Sequence, residues 1–231
     1  MDIFKIKSDL PITEYAPYWN ISLGNAVWEE SEKIDKIRNW LIANEEDIKK
    51  MYPPLNDGGT GLGSDSVTSR FGRYNLFDFA SEVPEITDLL NFIRLSYINF
   101  VHKDFTHKQE LVIISWFNVV KDGQKIKEHC HSANKDSYLS ANMHLDNYPT
   151  NTIYRSPYEP FVEYPFKNVK GGFTIFPSYV PHKTNEYAES DAPRVSIACD
   201  LRLPTTVPPD NMLKERVFMN PEIFNQLMGR L

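Results

Sequence analysis

Three of the chain's six histidines fall inside EHCHSANKDSYLSANMHLD, residues 128–146. His129 and His131 stand two apart, and on an extended backbone that spacing sets both imidazoles on one face, because strand side chains repeat with period two. His182 follows 53 residues after His129, beyond GGFTIFPSYV, and Arg194-Val195-Ser196 begins 12 residues later. Two imidazoles from one strand and a third from a strand folding back on it would hold a divalent ion on one side and leave the other side open. The Arg194 guanidinium suits a carboxylate through two parallel hydrogen bonds, and Ser196 points to the same face. Together these residues read as a metal site with an anchor for the far end of a dicarboxylate.

Other residues compete for the same chemistry. HLD at 144–146 offers His144 and Asp146 as a competing pair of the form His-x-Asp, although His144 also suits a pocket wall or a satisfied core position. Asn142 shares a strand face with His144, and Asn118 follows Trp116; each can hydrogen-bond a ligand or nearby backbone. His102 and His107 fall where a helix ends and read as solvated caps. Cys130, between two histidines, is expected to point away from both as a small buried residue, and two cysteines make no disulfide framework. The glycines at 58, 59, 61 and 63 lack the strand, helix and Lys-Ser/Thr of a phosphate loop. That segment is expected to be a long ordered loop, with Thr68, Ser69 and Arg70 as weaker candidates for ligand contact.

The elements that must position these groups divide the chain. From Glu29 to Tyr52, Ile34, Ile37, Trp40, Leu41 and Ile48 recur at helical spacing until YPP stops the pattern. A second amphipathic helix opens at Pro84 and carries Ile86, Leu89, Leu90, Ile93, Tyr97 and Phe100. After Lys108 the pattern becomes strand-like: ELVIISWFNVV, SYLSANMHLD, NTIYR, GGFTIFPSYV and RVSIACDLRL, with KDGQ as a hairpin turn that delivers His129 and His131. Strands in sequence without helices between them predict an antiparallel double-stranded β-helix, a cupin-like jelly roll, within a mainly β, α+β fold. We expect a single domain: 1–107 as mainly helical support with the glycine-rich loop, 108–205 as the jelly-roll core, and 206–231 as an extension with a short closing helix from Asn220-Pro221.

Composition narrows the function classes. A net charge of −6 with scattered Lys and Arg argues against nucleic acid, and runs such as LVIISWF are too short to span a bilayer. The start MDIFKIKSDLPI lacks the apolar core of a signal peptide, so a cytoplasmic protein is expected. Nothing in the sequence reports the oligomeric state.

The ordered set W-x-N, H-x-H, YLS, GG-x-T-I-F-P-S-x-x-x-H and R-x-S resembles the Fe(II)/2-oxoglutarate-dependent oxygenase superfamily, and most of all a prolyl-hydroxylase-like subgroup of marine bacteria and their phages. The similarity runs from DGGTGLGSDSVTSR to RVSIACDL. It implies Fe(II), 2-oxoglutarate and O2, with His129 and His182 as iron ligands and Arg194 with Ser196 clamping 2-oxoglutarate. The activity implied is hydroxylation of a C–H bond in a peptide or small molecule, in the cytoplasm of the cell or, for a phage-encoded chain, of its host. The superfamily's usual pattern has Asp or Glu two residues after the first histidine, where this chain has His131. The middle ligand is therefore His131 or, through HLD, Asp146, with Asn118, Asn142 and His144 beside the cosubstrate. A jelly-roll module that binds metal or ligand without turnover is the rival that the missing carboxylate suggests.

Overall fold

The computed structural model describes residues 1–101, 110–188, 192–204 and 215–229; His102 and His107 lie outside them. Ten strands form two antiparallel sheets. The larger uses β1 (Asp2–Lys7), β2 (Asn20–Val27), β3 (Leu111–Val120), β4 (Leu139–His144), β7 (Gly172–Pro177), β9 (Arg194–Arg202) and β10 (Arg216–Met219), in the order β1-β2-β7-β4-β9-β3-β10. The smaller is β6 (Glu159–Lys167), β5 (Asn151–Ser156) and β8 (His182–Thr184), in the order β6-β5-β8. The jelly-roll core is present.

Helices α1 (Ser31–Met51) and α2 (Glu85–Val101) cover one face of the larger sheet. Ile34, Ile37, Leu41 and Ile48 of α1, and Ile86, Leu89, Leu90, Ile93 and Tyr97 of α2, are buried in one core with Ile113, Phe117, Met143, Phe173, Ile175 and Ile197. The helical spacing of these residues is what builds that contact. Helix α3 (Pro221–Met228) starts as expected: the Asn220 side chain accepts from Ile223 N, and Pro221 occupies the first turn.

Three features differ from the expectation. The first 107 residues are not only helical support, because β1 and β2 extend the larger sheet. Their signal is short and broken: only Ile6 of β1 is buried, and β2 carries Gly24, where an added Cβ would stand 2.7 Å from Phe100 of α2. The extension likewise contributes β10, paired with β3. Finally, β6 contains Pro160 and Pro165, which are depleted from strands generally but tolerated at a sheet edge, where β6 lies.

The KDGQ turn forms, with Gly123 at φ 73°, but does not return the chain along β3. Residues 124–131 cross to the smaller sheet and run beside β8, bridging Gln124 to Tyr187 and His129 to His182. All partners of β3 are instead β9 and β10, and β9 offers nine paired residues. No helix among the described residues is long and apolar enough to cross a membrane.

Gly171 fastens the site end of the sheet. It has φ 73°, its N–H donates to His144 O at 2.9 Å, and its carbonyl accepts from Trp28 N at 2.9 Å. A Cβ there would stand 2.2 Å from Trp28 O. Gly171→Ala is therefore expected to cost about 2–3 kcal/mol of stability, read as a lower urea midpoint at unchanged m.

Candidate metal centre

The sheet faces separate by parity. On β9, Val195, Ile197, Cys199 and Leu201 join the helix-covered core, while Arg194, Ser196, Ala198 and Asp200 line a cavity of about 130 Å3 between the sheets. Trp116 and Asn118 of β3 and Asn142 and His144 of β4 line it too. Across from them stand His182 and Thr184 of β8.

His129, His131 and His182 come together, each offering one ligand atom within 4.8 Å of the others. Reciprocal backbone bonds hold two of them: His129 N donates to His182 O at 3.1 Å and His182 N to His129 O at 2.9 Å. His131 is set by its N–H on Ser178 O at 2.9 Å. Each ring has its Nδ1 on an acceptor: His129 on Lys127 O at 2.9 Å, His182 on Val180 O at 3.1 Å, and His131 on Asp200 Oδ1 at 2.5 Å. An acceptor without a proton requires Nδ1–H on the ring, so the lone pair of each neutral imidazole is on Nε2. Three such nitrogens suit a borderline divalent cation such as Fe(II) or Zn(II). Burial, then neighbouring His131, pulls His129 down to about 4; burial and the other two rings hold His182 well below its ordinary value. His129 and His182 are therefore uncharged at neutral pH, as ligands must be.

Arg194 marks the other end of the cavity. It is 1% exposed, and its Nη2 donates to Thr184 Oγ1 at 3.1 Å, one strand period beyond His182. Among the described residues its Nε and Nη1 have no hydrogen-bond partner. Burial lowers its pKa to about 10, so it remains a cation at neutral pH with donors unspent, which is costly unless an anion takes them. Asn118 reaches Ser196 Oγ at 3.4 Å and accepts from Thr68 Oγ1 at 2.8 Å. His144 Nε2 meets Thr152 Oγ1 at 3.1 Å and its Nδ1 has no partner among the described residues; burial, then Arg194, lowers its pKa to about 3. Asn142 Nδ2 donates to Tyr154 OH at 2.8 Å.

Other candidates fall elsewhere. Asp146 is outside the cavity wall, with its carboxylate 3.6 Å from Arg38 Nε. Cys130 is exposed rather than buried and contributes to the cavity's lining, while Cys199 is buried. Of the loop candidates, Thr68 lines the cavity, but Arg70 turns inward to Ser64 O, Ser66 O and Tyr52 O, and Ser69 Oγ donates within the loop. The glycine-rich loop winds around the chain's own Asp57, which accepts from Gly59 N and Gly63 N at 3.1 Å each.

Asp200 and Ser140 are among the site residues that the sequence reading missed, as are Thr184, Phe71 and Phe176. The signal was available: the alternation that pairs Arg194 with Ser196 reaches Asp200 after two further steps, and Ser140 lies directly opposite it on β4. Ser140 Oγ donates to Asp200 Oδ1 at 2.7 Å.

No protein-family model matches the sequence, and comparison with curated protein sequences finds no match. Solved structures do match. A prolyl-4-hydroxylase from Pseudomonas putida is similar over 78% of this chain and 92% of its own, at 14% identity and TM-score 0.51. The non-haem α-ketoglutarate-dependent carbocyclase SnoK of nogalamycin biosynthesis is similar over 86% of this chain and 92% of its own, at 12% identity and TM-score 0.51. The corresponding epimerase SnoN covers 87% and 92%, at 11% identity and TM-score 0.52. The chain thus has the jelly-roll fold that these oxygenases use.

The depressed histidines make the metal-free protein acid-sensitive. Below pH 6.5 an unfolded histidine takes up a proton that buried His129 and His144 refuse until about pH 4 and 3, so stability is full above 6.5 and falls through that window. Urea unfolding of the metal-free protein should lose up to about 1.4 kcal/mol per pH unit for each such group, with a shallower slope in His144→Gln.

Proposed function

We propose that the protein is a non-haem Fe(II)/2-oxoglutarate-dependent dioxygenase that hydroxylates a C–H bond of a peptide or small molecule. The observation that supports this most is the pairing, within one cavity, of three converging imidazoles with a buried arginine whose Nε and Nη1 are unspent among the described residues. Bound there, Fe(II) with 2-oxoglutarate and O2 would supply the oxidising power, with decarboxylation of the cosubstrate to succinate.

The chain's own residues do the rest. His129, His131 and His182 hold the ion from one side. Arg194 takes the distal carboxylate of 2-oxoglutarate, with Thr184 fixing the guanidinium and Ser196 and Asn118 completing the polar wall. Trp116, Phe71 and Phe176 line the cavity with apolar surface that limits water around the reacting centre. The structural neighbours bear the names hydroxylase, carbocyclase and epimerase, so the fold alone does not choose the outcome. Hydroxylation is our choice for the prolyl-hydroxylase-like motif order. Two free thiols suit a reducing cytoplasm, where we place the enzyme.

The test is anaerobic Fe(II) titration with and without 2-oxoglutarate, followed by visible absorption. A weak band that needs both partners is expected, and Arg194→Leu should weaken 2-oxoglutarate binding by about 30-fold or more while Fe(II) alone still binds. The all-histidine ligand set favours one second reading, a metal-binding jelly roll without turnover. Tight Zn(II) binding with no 2-oxoglutarate-dependent band would select it.

A further inference from the structure

We propose that Asp200 is the positioning residue of the metal centre, supplying through His131 the negative charge that a carboxylate ligand would otherwise bring. The inference rests on the metal-centre reading above. Of the three histidines, two place Nδ1–H on backbone carbonyls, and only His131 places it on a carboxylate. His131 is also the position at which this chain has an imidazole two residues after the first ligand.

The charge count explains why that matters. Three neutral imidazoles leave the full +2 on a divalent ion, whereas two histidines and one carboxylate leave +1. An ionised Asp200 bonded to the back of His131 restores the lower total from one bond further out. It polarises the ring toward imidazolate and so strengthens Nε2 as a donor. Asp200 is built to stay ionised and still: it lies within β9, hydrogen-bonded to strands on both sides, and its Oδ1 accepts from Ser140 Oγ at 2.7 Å as well as from His131 at 2.5 Å. Ser140 in turn meets Ser178 Oγ at 2.9 Å, the residue whose carbonyl holds the His131 backbone. One network therefore sets the ring's tautomer and its orientation.

A merely structural Asp200 would matter equally whatever stood at position 131. The proposal predicts a change of sign. In the wild type, Asp200→Asn should weaken metal binding by about 10- to 100-fold. In a His131→Asp background, where the ligand itself is anionic, Asp200 becomes a repelling neighbour, and Asp200→Asn should leave binding unchanged or tighten it.

The experiment is Co(II) titration of the full chain, without cosubstrate, read by visible absorption for the four proteins of that cycle. Thermal unfolding of each metal-free variant checks folding. Ser140→Ala, which leaves the carboxylate in place and removes one of its bonds, provides a milder variant and should give a smaller loss. Equal losses in both backgrounds, or a change under twofold in the wild type and in Ser140→Ala, would overturn the proposal while leaving the proposed function standing. Failure of the wild type to bind Co(II) or Fe(II) would overturn both.

Discussion

The structure depends most on the register of β9. This strand lies between β3 and β4, paired with β3 along its whole length and with β4 from Ser196 to Leu201. Its odd positions enter the core beneath the helices and its even positions face the cavity. A slip of one residue would bury Arg194 and Asp200 in the apolar core and turn Ile197 and Leu201 to the site. The apolar contact with α1 and α2 that stabilises the fold therefore also aims the anion anchor and the carboxylate behind His131. Folding and site assembly are one event.

Around that strand the site is assembled from both sheets. His129 and His182 sit at the edge of the smaller sheet, tied to each other through their backbones. His131 is tied forward to the same segment and backward to the larger sheet through Asp200. Burial does two opposite things here. It holds His129 and His182 neutral, which a metal requires, and it encloses the Arg194 cation with donors unmet among the described residues, which an anion requires.

Much of this was legible in the sequence because it rests on period-two spacing. Arg194 and Ser196 report their shared face directly, and β-branched and aromatic enrichment marks β3, β4, β7 and β9 as strands. The helices were legible for the corresponding reason at their own period. What escaped depends on partners distant in sequence. The Asp-Gly turn was recognised, but its exit direction is decided by competition for the edge of β3, which β9 wins. Cys130 was assigned to a buried face that the crossing segment does not have. Asp200 shows no local signal of its own, and its role exists only because His131 arrives opposite it from 69 residues away. Strands β1, β2 and β6 carry glycine, proline or exposed positions that blur their alternation.

The free border of the smaller sheet has its own consequence. Among the described residues strand β6 pairs with β5 alone, and Phe161 on it is 96% exposed. An open, partly apolar strand is a template onto which another chain can polymerise. Pro160 and Pro165 each remove a donor from that strand, so an incoming strand could not complete a regular ladder along it. The two residues that concealed β6 from sequence reading are thus the ones that interrupt this border as a pairing template.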